Sequence, residues 1–290
     1  MKSILATLIA AASLASTASA ATIAYQSFGG TSGGLDGTDP NQGAAFGFTG
    51  NWASTTVGDM AYVTNSLNIV NDTTGVENRA QKAQTGGTSS NKVNVQTNLA
   101  SNISTTTGNL YVSFKFNANW TAGTDQVGLH LLTGATADTE NTGTAAFTLG
   151  TNGANSAFRL AGTTQATQAT TTDGFTYANA TTYLFIGRIE MTTGADTMRF
   201  NIYRDLDNVP TLLPVSFTMN YTASVATDAD INGIRLYTNN GANEDVTFAM
   251  DEIRLGTSWA DVNPVPEPSS ALLMLLCAGA YAIRRRRSAF

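Results

Sequence analysis

The sequence predicts an all-β chain: a two-sheet antiparallel sandwich, flanked by an N-terminal signal helix and a single C-terminal apolar helix. Three observations carry this. Apolar residues alternate with polar ones at period two through the middle of the chain. Clusters of Gly, Asn and Asp punctuate the alternating runs, as turns require. No stretch between the terminal segments shows the 3.6-residue apolar stripe of a helix, and only 12% of residues are charged, too few for long surface helices rich in Glu and Lys.

The first element is residues 1–20. Met1-Lys2-Ser3 is a short positive start, Ile4 to Ala15 is apolar, and Ala18-Ser19-Ala20 is a small-x-small cleavage pattern. A charged start, a short apolar core and small residues before the cut are the parts of a secretory signal. Cleavage after Ala20 leaves residues 21–262 as the β domain. Cys277, in the tail, is the one cysteine of the chain, so the domain has neither a disulfide nor a cysteine-ligated metal.

The strands follow in order. Leu110, Val112, Phe114 and Phe116 share one face, with Tyr111, Ser113 and Lys115 on the other. Val127, Leu129 and Leu131 share a face in the next strand, then Phe158 and Leu160. Tyr183 to Met191 is apolar on both sides and reads as a central strand. Met198, Phe200 and Ile202 alternate with Arg199, Asn201 and Tyr203, and Ile234 and Leu236 flank Arg235. In the last strand Val246, Phe248 and Met250 fall out of phase with Ile253 and Leu255; an extra residue at Asp251-Glu252, a β-bulge, restores the phase. About 10 to 13 strands at this spacing make one sandwich.

Charge excludes one class of function. Without Lys2 and Arg284–Arg287, 10 of the 15 basic residues remain, against 20 of the 21 acidic ones once Glu267 is set aside. A nucleic-acid binder needs a basic stripe to displace counterions, and this domain, near −10, has none. Catalysis finds little material either. His130 is the sole histidine and lies on the strand face opposite Leu129 and Leu131, so the expectation is a structural residue and no catalytic residue. Asp251 and Glu252 are expected on a solvated bulge, paired to Arg254 or Arg235. Cofactors are expected to be none. Asp205, Asp207 and Asn208 supply three oxygens in a turn before Pro210, the one candidate Ca²⁺ site, against the plainer reading of an Asx turn. For sugar contact by ring stacking, Trp120 in a loop is the first candidate and Tyr62 the second; Trp52 and Trp259 are expected to pack in the core or at an edge.

The last element is residues 263–290. Val265-Pro266-Glu267-Pro268 leads into an apolar run, 271–283, closed by Arg284, Arg285, Arg286 and Arg287. The two prolines forbid a regular helix or strand and hold an extended segment. Thirteen apolar residues make a helix of roughly 20 Å, short for a bilayer. A Ser269 or Ser270 cap and snorkelling arginines lengthen its reach and fix the arginines on the cytoplasmic side.

This tail resembles the PEP-CTERM sorting signal of Gram-negative bacteria. The resemblance implies processing by exosortase, a membrane cysteine peptidase, a transient inner-membrane anchor, and a final place at the cell surface or in an exopolysaccharide matrix. The domain is similar to concanavalin-A-like and laminin-G-like jelly rolls in three stretches: Tyr25 to Phe28 with Phe46 to Trp52, Thr182 to Glu190 with Asp196 to Tyr203, and Phe248 to Gly256 with Trp259 to Val262. That likeness implies that Ile23 to Phe28 runs beside Phe248 to Leu255. Exopolysaccharide, which the sorting-signal resemblance implies, is the expected partner, and no enzymatic activity is expected. The competing expectations are a glycan-active hydrolase or lyase, which lacks here the Glu-x-Asp-x-x-Glu strand motif of jelly-roll glucanases, and a ligand-free structural spacer.

Overall fold

A computed structural model of the chain describes residues 22–28, 33–42, 44–54, 61–63, 67, 79–82, 93–119, 126–133, 143–151, 156–161, 168–170, 178, 180–223, 230–239 and 247–264. The leader, with Ala18 and Ala20, and residues 265–290 of the tail lie outside them.

Sixteen strands run through the described residues: β1 (Thr22–Gln26), β2 (Gly33–Gly34), β3 (Phe48–Ser54), β4 (Ala61–Val63), β5 (Arg79–Lys82), β6 (Val93–Ile103), β7 (Thr107–Asn119), β8 (Gln126–Thr133), β9 (Gly143–Thr151), β10 (Ser156–Ala161), β11 (Gln168–Thr170), β12 (Thr182–Thr192), β13 (Asp196–Tyr203), β14 (Met219–Ala223), β15 (Ile231–Asn239) and β16 (Thr247–Gly256). The number exceeds the expected 10 to 13 because β2, β4, β5 and β11 are two to four residues long, too short to show alternation.

The strands form two antiparallel sheets. One has the order β14-β13-β12-β7-β16-β5-β4-β2, with β1 also on β16; the other is β11-β10-β9-β8-β15-β6-β3. The expected sandwich is what the chain builds. The first and last strands are neighbours as expected, with Ala24 opposite Leu255, Tyr25 opposite Arg254 and Gln26 opposite Ile253.

The core lies between the sheets. The first sheet contributes Leu110, Val112, Phe114 and Phe116 from β7, Phe185 and Ile189 from β12, and Met198 and Phe200 from β13. The second contributes Leu129 and Leu131, Ile234 and Leu236, Val95 and Leu99, and Trp52. Trp52 stacks on Phe28 with ring centroids 6.1 Å apart. These are the apolar positions that the period-two pattern assigns inward. Val127, Phe158, Leu160 and Phe248 carry side chains outside the described residues.

Where β12 crosses β13, Gly187 faces Phe200. A Cβ there would fall on the Arg199 carbonyl oxygen and 2.7 Å from the Phe200 Cα, both backbone atoms that cannot turn aside. Gly187→Ala is therefore expected to cost about 3 kcal/mol, read as a lower urea midpoint with unchanged slope.

The outer face of the first sheet is covered too. Tyr111, Ser113 and Lys115, placed by the alternation on the face away from Leu110 and Val112, are all buried. A second apolar cluster covers them: Tyr111, Leu184 and Ile186 pack against Leu206, Val209, Trp259 and Val262. Two short pieces supply the cover, a 3₁₀ turn (Leu206–Asn208) and one helical turn, α1 (Trp259–Val262). This is why β12 is apolar on both sides.

Candidate functional site

Three places on the two outer faces hold the polar groups worth examining. The first is the closing end of the domain. Asp261 accepts the backbone N–H groups of Thr257 at 2.9 Å and Ser258 at 2.7 Å, which fixes the start of α1. The Trp259 indole N–H donates to the Pro210 carbonyl at 3.0 Å, Asn263 donates to the same oxygen at 3.0 Å, and the Ser113 hydroxyl donates to the Val262 carbonyl at 2.6 Å. Packed structure thus continues to the residue before Pro264.

The second is the bulge in β16. Asp251 lies opposite Lys115 and Arg254 opposite Ser113, so two residues of β16 answer to one of β7, as the phase break requires. Glu252, within it, takes φ 48°, the left-handed region, at a cost of roughly 1–2 kcal/mol for a side chain with a Cβ. Its carboxylate accepts Lys115 Nζ at 2.5 Å on Oε1 and Arg254 Nη2 at 2.8 Å on Oε2. Asp251 accepts the Leu67 N–H at 2.9 Å and the Glu252 N–H at 2.8 Å. Burial, with the neighbouring Glu252 charge adding, pushes the Asp251 carboxyl up to about 8. Tyr25 lies beneath the Arg254 guanidinium, 5.2 Å from ring centroid to Cζ, and burial first, then Glu252, pushes its phenol to about 12. The expected pairing of Glu252 with Arg254 is there. The expected solvation is not, because Asp251 and Glu252 are 1% and 7% exposed. Arg235, the other expected partner, stands on the opposite sheet.

The third is the outer face of the second sheet. Arg235 is flanked by His130 on β8 and Gln96 on β6. Its Nε and Nη2 donate to Gln96 Oε1 at 3.2 and 3.0 Å. His130 stacks on Tyr237 with centroids 4.6 Å apart. His130, Arg235 and Tyr237 are each 1% exposed, so this face is covered as well. Burial, then the Arg235 charge, lowers the imidazole to about 3. Neither ring nitrogen has a hydrogen-bond partner. A neutral, enclosed imidazole without a partner fits the structural role expected of it.

The turn at Asp205, Asp207 and Asn208 is an Asx turn. Asp205 caps the 3₁₀ turn by accepting the Asp207 N–H at 3.0 Å, and Leu206 anchors it in the outer cluster. No group of three His, Cys, Asp or Glu that could hold a metal occurs among the described residues. Trp120 directly follows β7 and lies outside the described residues; Tyr62 pairs with Gly33 and Ala80 in β4, its side chain outside them. Trp52 and Trp259 are core and outer-cluster residues, as expected. Sequence reading missed Lys115 as a buried ion partner and the 204–218 segment as a cover. The signal for the latter was present: Leu206, Val209 and Leu213 are apolar, yet Pro210 and Pro214 bar a central strand.

The described part of the chain is thus a β-sandwich whose last packed residues stand at the start of the C-terminal tail. The tail is of a known kind: residues 264–287 match the PEP-CTERM protein-sorting motif, which marks a protein sorted through its C-terminus and processed by exosortase. Among solved structures the fold is similar to the globular domain of T. cruzi calreticulin, at 10% identity, TM-score 0.54, covering 92% of this chain and 100% of that one. It is also similar to the Emp47p carbohydrate recognition domain, at 11% identity and TM-score 0.45, over 84% and 99% of the two chains. Domain 4 of AbnA, a GH43 extracellular arabinanase from Geobacillus stearothermophilus solved with arabinotriose, matches at 14% identity and TM-score 0.44, over 84% and 98%. These are likenesses of fold. No curated protein sequence matches the chain. Among the described residues, no helix is long and apolar enough to cross a membrane, and the 271–283 run lies outside them.

Proposed function

We propose that this is a non-enzymatic surface or matrix protein whose sandwich contacts exopolysaccharide once exosortase has processed its tail. In this reading residues 1–20 direct export. The 271–283 segment holds the chain in the inner membrane, with Arg284 to Arg287 inside. Exosortase engages Val265-Pro266-Glu267-Pro268 from outside. One observation carries the reading: the sorting motif begins at residue 264, and the last helical turn packed on the sandwich ends at Val262. The motif therefore presents a folded body, with no spacer between them.

Mass spectrometry of the mature C-terminus tests the processing. Loss of the residues behind the Pro-Glu-Pro segment is expected, and replacing Pro266, Glu267 and Pro268 together by Ala is expected to leave protein ending at Phe290 in the membrane fraction. An unaltered protein that still ends at Phe290 would contradict the proposal. For sugar contact, Trp120→Ala is expected to weaken binding to the producer's own polymer roughly tenfold, equivalent to about 1.4 kcal/mol, with Tyr62→Ala next in effect. Flat signals across acidic and neutral polymers would instead favour a ligand-free spacer.

The rival reading, a glycan-active hydrolase or lyase, would draw on the cluster of His130, Arg235 and Tyr237. The burial of these three and the neutral histidine speak against open-cleft chemistry. Release of new reducing ends or unsaturated sugars from the same polymer would favour the rival.

A further inference from the structure

We propose that the side chains of Lys115 and Asp251 condense into an intramolecular amide bond that locks β16 to β7, with Glu252 carrying the proton. The register supplies the pair. Lys115 and Asp251 are directly opposite each other on antiparallel strands. Directly opposed side chains on one face start about 4.5–5.5 Å apart at Cβ, within the reach of a lysine stem.

The bulge supplies the third group. A regular strand would send Glu252 to the face opposite Asp251. With one residue extra and φ 48° at Glu252, the Glu252 carboxylate reaches Lys115 on the face where Asp251 stands opposite it. Glu252 Oε1 is 2.5 Å from Lys115 Nζ, in place to take its proton. Arg254 holds the other oxygen and keeps the carboxylate aimed.

The electrophile is prepared as well. Both oxygens of Asp251 accept backbone N–H groups, Oδ2 from Leu67 and Oδ1 from Glu252. Such donors polarise the carboxyl and stabilise the oxyanion of a tetrahedral intermediate. Burial keeps this carboxyl in its neutral acid form, which an amine can attack, where a carboxylate would repel it. Lys115 is 0% exposed and Asp251 1%, so water has little access for the reverse hydrolysis.

The step balances without any added reagent. Glu252 takes one proton from the Lys115 ammonium. The freed lone pair attacks Cγ of Asp251 and forms the N–C bond. The Cγ–OH bond then breaks, and the hydroxyl leaves as water with the proton from Glu252. Glu252 takes the second amine proton and returns it to solvent. No atom is oxidised or reduced. The electrostatics favour the product: with Asp251 neutral, the buried Lys115 and the partly exposed Arg254 place two positive charges on the single negative charge of Glu252, and amide formation leaves Glu252 and Arg254 as a balanced pair.

Tryptic mapping of the full-length folded protein tests this. The expected product is peptide 93–159 joined to peptide 236–254, one water lighter than their sum, with no cut after Lys115. In Glu252→Gln, native circular dichroism with unlinked peptides is expected, since the amide keeps a contact to Lys115 but cannot take its proton. Unlinked peptides from the unaltered protein, one ending at Lys115 and one carrying intact Asp251, would overturn the bond. A complete link in Glu252→Gln would overturn the proton-carrying role.

Discussion

Phe185→Ala should lower the unfolding free energy by about 3–5 kcal/mol. Phe185 sits at the middle of the core side of β12 and is 2% exposed. Its ring lies between two others, 5.1 Å from Phe114 on β7 and 4.9 Å from Phe200 on β13. Truncation removes the transfer term, leaves a cavity between three strands of one sheet, and breaks both ring contacts. The backbone there is held by ladders on both sides, so the hole cannot collapse. For a domain of this size the melting temperature should fall by roughly 10 °C. Ile202→Ala, on a partly buried residue of β13, is the comparison and should cost much less. Equal losses at the two positions would mean that the ring stack has no special weight.

His130→Phe is expected to stabilise the domain and to remove the part of its acid sensitivity that His130 contributes. A neutral imidazole carries one donor and one acceptor, and both are orphaned here. Each buried orphan costs about 1–3 kcal/mol, whereas a phenyl ring keeps the stack on Tyr237 with no polar atom to satisfy. At pH 7 a gain of about 2 kcal/mol is expected. The pH dependence follows from linkage. The folded group titrates at about 3 and the unfolded one at 6.5, so between those values only the unfolded chain takes up the proton. The contribution of His130 is therefore complete above 6.5 and lost as pH falls toward 3, on the order of 3 kcal/mol by pH 4, and it appears as the difference between the two proteins. Urea midpoints at pH 7 and pH 4, for both proteins, give the two slopes. Equal slopes would show that His130 takes its proton inside the fold.

The sequence showed the inward faces of this fold because period two is a backbone property that each strand carries by itself. Leu110 to Phe116 and Met198 to Phe200 needed no partner to declare their core side. The bulge was legible for the same reason, as a break in phase at Asp251-Glu252. What covers an outer face is a matter of tertiary distance. Nothing within Tyr111, Ser113 and Lys115 announces that Trp259 and Val262, far along the chain, fold back over that sheet face. The buried ion cluster was therefore half visible: its carboxylates were singled out, but its lysine was placed only on a strand face, with no ion partner. His130 shows the same limit, since its face was assigned correctly and its enclosure was not.

β16 is the last strand to be made, yet it has β7 along one side and both β5 and β1 along the other. A polypeptide that emerges amino end first must wait, with the middle of a sheet missing, until residues 247–256 arrive. A translation product that stops before Thr247 lacks that strand and the 264–287 sorting motif together. Such a copy is left with neither a complete sheet nor an address label.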